Sequence, residues 1–388
     1  MTSKRFKVSI IYFVVVILTL LFRVASALDI YSLLGVQDDD AFWSCIVQIV
    51  IFGAVPFVMY LFMVSGKEDK FLPYFPYKEK KAEEPKADEV EVVFDDATLA
   101  PQPETSETMV DENVATPQPE TIVEEGETES KKKKASKMLK GLFADFGFKK
   151  VSVKSALCTI VLAICMTILG TAVSVIWQTV LSLFGYTRIP SRTDYNSLGV
   201  LFKEFVLVGV LPGFFEEFSH RGLISAGYKK TGWKFVLLSA ALFALMHQNI
   251  VQTGYTFVDG LAMALVMYYT GSIWPSMFMH FFNNAWSVFL GYVGQNGGVF
   301  AFINVIDNWL FSTVLGLLVC LLVVALAIGL TVLMFVLLRK EAVKKGRIDE
   351  KPFAKTETMP IALEAVNWLT VIVGIAATAF SLTWGIMR

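Results

Sequence analysis

The chain is poor in charge, in histidine and in cysteine. Of its 388 residues, 18% are Asp, Glu, Lys or Arg and 55% are hydrophobic, with a mean hydropathy of +0.57. A soluble domain carries about 25% charge and about 45–50% apolar residues, so an ordinary soluble fold is excluded and a polytopic membrane protein remains. The formal net charge is −1, which provides no positive excess for a nucleic acid or another polyanion. The four cysteines (Cys45, Cys158, Cys165 and Cys320) stand in apolar stretches without metal spacing or a disulfide pattern. They read as small core residues. Also missing are His-Glu-x-x-His, which binds zinc from one helical face, and the Gly-x-Ser-x-Gly turn of a serine nucleophile.

What is abundant is apolar sequence. Runs that approach the roughly 20 residues needed to cross a bilayer occur at 8–28, 42–65, 153–184, 198–219, 233–248, 255–270, 273–293, 308–338 and 361–386. The expected fold is therefore an all-α polytopic membrane protein with about nine transmembrane helices. Lys4, Arg5 and Lys7 place the N-terminus inside, and the first run is kept as an anchor. With nine spans, the basic loops at 67–150, 229–234 and 339–355 all fall on the same inner side. The outer loop near 188–194, with Arg188 and Arg192, fits this scheme least. The expected organisation is two N-terminal spans at 1–65, a loop at 66–150, a core at 151–338 with its motifs in 200–290, and a last loop and span at 339–388.

The loop 66–150 is a different material. Residues 83–130 are rich in Glu, Asp, Thr and Pro and repeat Pro-Gln-Pro-Glu-Thr at 101–105 and 117–121. Such a stretch buries too little apolar surface to offset chain entropy and is expected to be disordered. Residues 131–150 are basic and partly amphipathic, with Met138, Leu139, Leu142, Phe143 and Phe146 set against Lys137, Lys140, Lys149 and Lys150. They are expected to lie on anionic lipid headgroups or to serve as a plain basic flank.

Against this background Glu216-Glu217-Phe218-Ser219-His220-Arg221 stands out. Ionisable groups at bilayer depth cost about 2.5–3.5 kcal/mol each on insertion scales, so their retention points to partners or to function. Glu217 and Arg221 are i,i+4 and can pair on a helix, as can Glu216 and His220. Adjacent carboxylates point about 100° apart and cannot share one role. A cap of snorkelling charges at a span end is the alternative. The other two histidines stand in Phe243-Ala244-Leu245-Met246-His247 and in His280-Phe281-Phe282-Asn283-Asn284. His280 and Asn284 share a helix face. Asp259 lies in the short run between them and could line a cavity or simply be paired in the bundle.

In this order, Glu-Glu-x-x-x-Arg (Glu216, Glu217, Arg221), Phe-x-x-x-His (Phe243, His247) and His-x-x-x-Asn (His280, Asn284) resemble the family of CAAX proteases and bacteriocin-processing enzymes, also called Abi or CPBP. The resemblance covers about 200–290. It implies an intramembrane endopeptidase with a conical cavity in the bundle that opens to the inner face. Its substrate would be a membrane-embedded or lipidated protein or peptide; a bacterial cell membrane is the assumed setting. It also implies Glu216 as general base with His247 polarising the water, Arg221 clamping Glu217, and His280 with Asn284 as oxyanion donors. The favoured chemistry needs no cofactor. Its rival is a zinc or other divalent site on Glu216, His247 and His280. Two further classes stay open: a non-enzymatic scaffold or immunity protein of the same fold, and a transporter with a Glu/His proton relay.

One expectation conflicts with the others. If the span 198–219 runs straight, Glu216 sits near its inner end, whereas His247 stands about 21 Å up the next span. A strong tilt, a re-entrant start near Pro212-Gly213, or a recessed loop at 227–233 would be required.

Overall fold

The computed structural model describes residues 4–28, 40–65, 122–188, 193–349 and 361–387. Among these, all regular structure is helical. In chain order the helices are α1 (Lys4–Ala27), α2 (Ala41–Val64), α3 (Ile122–Asp145), α4 (Val153–Leu183), α5 (Leu198–Thr231), α6 (Trp233–Met246), α7 (Ile250–Thr270), α8 (Trp274–Asn296), α9 (Ala301–Ser312), α10 (Val314–Lys344) and α11 (Ile361–Ile386). Seven of them are long and apolar enough to cross a membrane, or eight if the bent pair formed by α8 and 298–312 is one span. The expected count was nine; α6, at 14 residues, is the apolar helix that falls short. The fold is an all-α polytopic membrane bundle.

The main difference from expectation lies in α5. The apolar run was expected to end at 219, but the helix continues to Thr231 and is 34 residues long. Charges that cap a span and charges that pair inside one look alike in a hydropathy profile. Here Phe218 to Ile224 are all buried, so the helix has a packed second half. Glu216 thus stands fifteen residues before the end of α5, and His247 fourteen residues after the start of α6. At 1.5 Å per residue these are depths of about 22 and 21 Å from the shared α5–α6 turn. The conflict in depth disappears without a re-entrant loop.

Two stretches of α5, Phe205–Val210 and Phe218–Leu223, are wound as π-helix. The first stands immediately before Leu211-Pro212. A proline inside a helix cannot bond the carbonyl four residues back and collides with it. For Pro212 that carbonyl belongs to Val208, and a wider turn there accommodates the ring. The carbonyl so released accepts a hydrogen bond from Asn284 Nδ2 on α8 at 2.9 Å.

The remaining helices pack around α5 and the α6–α7 hairpin. α4 lies against α7, α8 and α10, and α1 lies against α11 and the end of α5. The break between α6 and α7 is made by Gln248, at φ 47°, and by Asn249, whose side chain caps α7 by accepting from Val251 N at 3.0 Å.

The loop expectations divide. Most of the stretch expected to be disordered, 83–121, lies outside the described residues. Its last nine residues, 122–130, form the first turns of α3. Once the C-terminal turn of α3 is nucleated by packing, extending it is far less costly than starting it. That turn is an anchor in the bundle: Leu142 and Phe146 are fully buried, and Asp145 pairs with Lys4 at 2.7 Å and accepts from Tyr60 Oη at 2.7 Å. The lysines at 133, 134, 137 and 140 are exposed.

Candidate active site

The polar centre begins with Glu217 and Arg221, one turn apart on α5. Their i,i+4 spacing makes the pair, with Arg221 Nη1 at 2.6 Å from Glu217 Oε1 and both side chains fully buried. Arg221 Nη2 also donates to the Gly260 carbonyl on α7 at 3.2 Å, and its guanidinium lies over the Phe243 ring at 4.3 Å. A buried ion pair persists when each partner is held from several sides, as here. The second bond of Glu217 is to His280 on α8, whose Nδ1 lies 3.0 Å from the same Oε1. A carboxylate only accepts, so Nδ1 carries the hydrogen and the ring is oriented by Glu217.

Glu216 faces a different way. Its Oε1 accepts from Gln48 Nε2 on α2 at 2.8 Å, and its Oε2 lies 4.0 Å from His280 Nε2. Glu216 and His247 line one cavity of about 300 Å³, together with Gln48, Phe52, Thr19 and Arg23 among others. His247 Nδ1 donates to its own α6 carbonyl at Phe243, 2.8 Å away, which leaves Nε2 as the acceptor. Phe243 sits beneath all of this. Its ring meets those of His220, His247 and His280 edge-on, with centroids 5.0, 4.9 and 5.4 Å away.

Two expected partnerships take another form. His220 does not pair with Glu216; it is fully buried and its Nδ1 shares a 2.7 Å hydrogen bond with Tyr12 Oη on α1. The π-turn that begins at Phe218 shifts the helical register between the two residues. Asn284 does face α5 with His280, but its amide serves the Val208 carbonyl that Pro212 leaves open. Asp259 is buried and accepts from the neighbouring Asn283 Nδ2 at 3.3 Å, so it is paired inside the bundle.

Among the described residues no group of three or more His, Cys, Asp or Glu side chains is arranged to hold a metal ion.

Residues 199–286, which run from α5 to the middle of α8, match the family model described as type II CAAX prenyl endopeptidase Rce1-like. Over that segment the chain is similar to that family. No curated protein and no solved structure matches the chain. The Rce1-like match points to a CAAX-type intramembrane endopeptidase, a protease held in the membrane. Glu216, Glu217, Arg221, His247, His280 and Asn284 all fall inside the matched segment.

Gln48 does not, and neither do Tyr12 and Arg23. The signal for Gln48 was present: it is a lone amide in Ile46-Val47-Gln48-Ile49-Val50-Ile51, and a polar side chain in an apolar span seeks a partner. The cavity wall also includes Arg23 and Ser26 from the last turns of α1 and Trp43 and Ser44 from the first turns of α2.

The Rce1-like segment holds its two polar helices together through close backbone approach. A Cβ on Gly213 of α5 would sit 3.0–3.1 Å from the Phe281 backbone nitrogen, Cα and Cβ on α8. Backbone atoms cannot move aside unless the helices part. Gly213→Ala is expected to cost about 1–3 kcal/mol, read as a lower thermal midpoint in detergent. Gly141→Ala, which meets nothing within 4 Å, is expected to leave the midpoint in place.

Proposed function

We propose that the protein is an intramembrane endopeptidase that hydrolyses a peptide bond of a membrane-embedded or lipidated protein or peptide, with Glu216 as the base. The observation that carries this reading is the cavity of about 300 Å³ on which Glu216 and His247 converge, with Glu216 held by Gln48. Glu216 takes a proton from water while the oxygen attacks the carbonyl carbon. The same proton then goes to the leaving amine as the C–N bond breaks. His247 Nε2, the acceptor of its ring, holds the second hydrogen of that water. Glu217 and Arg221 act at one remove, by orienting His280. His280 donates toward the developing oxyanion when its Nε2 carries a proton. Asn284 stabilises the α5–α8 contact in this reading through one N–H of its amide, and its second N–H is the candidate oxyanion donor. The exposed lysines of α3 support contact with anionic headgroups.

The test is cleavage of a labelled library of membrane peptides and lipopeptides by purified protein in detergent. Cleavage that resists a chelator and is lost in Glu216→Ala supports the glutamate mechanism. Loss on chelation moves the chemistry to a metal. Equal behaviour of wild type and Glu216→Ala, both folded, leaves the scaffold reading.

A further inference from the structure

The cavity contains one cation, and the proposed mechanism does not use it. Arg23 stands in the apolar run Leu20-Leu21-Phe22-Arg23-Val24-Ala25 of α1, lines the cavity and is exposed. Among the described residues it makes no hydrogen bond or ion pair. The contrast with Arg221 is informative. That arginine is sealed, with a carboxylate at 2.6 Å, a carbonyl at 3.2 Å and an aromatic ring at 4.3 Å. An arginine kept for structure looks like Arg221. The carboxylate within electrostatic reach of Arg23 is Glu216, which lies beyond ion-pair distance and whose Oε1 is already turned to Gln48. The other groups on the wall are neutral or apolar, apart from the imidazole of His247. A guanidinium with no partner among the described residues of such a wall is complementary to an oxyanion, and its planar fork suits a carboxylate best.

We propose that Arg23 is a carboxylate-binding subsite of the cavity: a peptide seated over Glu216 presents a carboxylate to it, either its free C-terminus or an acidic side chain. This rests on Glu216 being the base of a proteolytic site. A cavity of about 300 Å³ lies at the small end of ligand sites, suiting a short peptide segment with one such group. Arg23 lies outside the Rce1-like segment, so the subsite belongs to this chain's own N-terminal hairpin.

The experiment separates binding from cleavage. Full-length Glu216→Gln protein in neutral detergent is titrated with fluorescein-labelled, acylated heptapeptides made in matched pairs. One series pairs a C-terminal acid with its carboxamide, and the other pairs an internal Glu with Gln. The expected result is about tenfold tighter binding of the acid in one series, which names the source of the carboxylate. That ratio falls to about one when Arg23→Gln is added and is partly kept by Arg23→Lys, since a point charge replaces the fork. Arg23→Glu is expected to reverse the preference toward a Lys-bearing twin. Equal binding of acid and neutral twins in both series overturns the proposal, as does an acid preference that survives Arg23→Gln. Wild type is then tested for cleavage of the same peptides. Arg23-dependent binding with no cleavage fails the protease reading and leaves the subsite standing; cleavage with no acid preference does the reverse.

Discussion

Glu217→Met is expected to destabilise the bundle by about 3–5 kcal/mol and to abolish cleavage with it. The substitution leaves Arg221 charged and fully buried, with a carbonyl at 3.2 Å and an aromatic face in place of its carboxylate. Arg221→Met leaves Glu217 equally stranded, apart from His280, and is expected to cost a similar amount. The double variant Glu217→Met, Arg221→Met is expected to recover most of the loss, because no uncompensated buried charge remains and methionine adapts to irregular space. Activity should not return with stability, since His280 Nδ1 then has no carboxylate to orient it. Thermal unfolding of the four proteins in detergent, read beside a cleavage assay, checks this. A double variant as unstable as either single one would mean that the pair is not the source of the cost. A double variant that is both stable and active would mean that Glu217 does not position His280 for the reaction.

Glu216→Ala is expected to lower the rate by about 10²–10⁴-fold, the usual worth of a positioned general base, while the thermal midpoint stays close to wild type. The stability difference between the adjacent carboxylates follows from their surroundings. Glu216 keeps 13% of its side chain exposed and makes one hydrogen bond, from Gln48; Glu217 is sealed and bonded twice. Glu216→Gln keeps the volume and also loses the rate, because an amide takes no proton. Gln48→Leu is expected to be milder, with kcat reduced through a misplaced carboxylate and no change in which peptides are cut. Rates within threefold of wild type for Glu216→Ala would remove Glu216 from the chemistry.

The pairing of Glu217 with Arg221 was legible in the sequence because helical spacing alone dictates it. So was the sharing of one helix face by His280 and Asn284, since both turn toward α5. The end of α5 was not legible. A hydropathy profile counts charges but does not see that they neutralise one another inside a bundle, so the span was closed twelve residues early. The partner of Asn284 depended on a carbonyl that Pro212 orphans, a two-helix effect that spacing on α8 cannot reveal. His220 found Tyr12, 208 residues away in sequence. Gln48 found Glu216 at a separation of 168. Partners at such distances belong to tertiary packing, and in a single sequence only their polarity within apolar runs announces them.

The wall that faces Glu216 is built from α1 and α2, while Glu216, His247 and His280 belong to the Rce1-like segment. In the proposed reading, cutting and choosing are carried on separate stretches of chain, joined by a few contacts such as Gln48 to Glu216 and Tyr12 to His220. A hairpin in that arrangement can drift in sequence, or be exchanged for another, without disturbing the proton transfers behind it, provided those contacts are kept. A chimera that grafts a foreign first hairpin onto this core would inherit the donor's taste in peptides and the recipient's turnover.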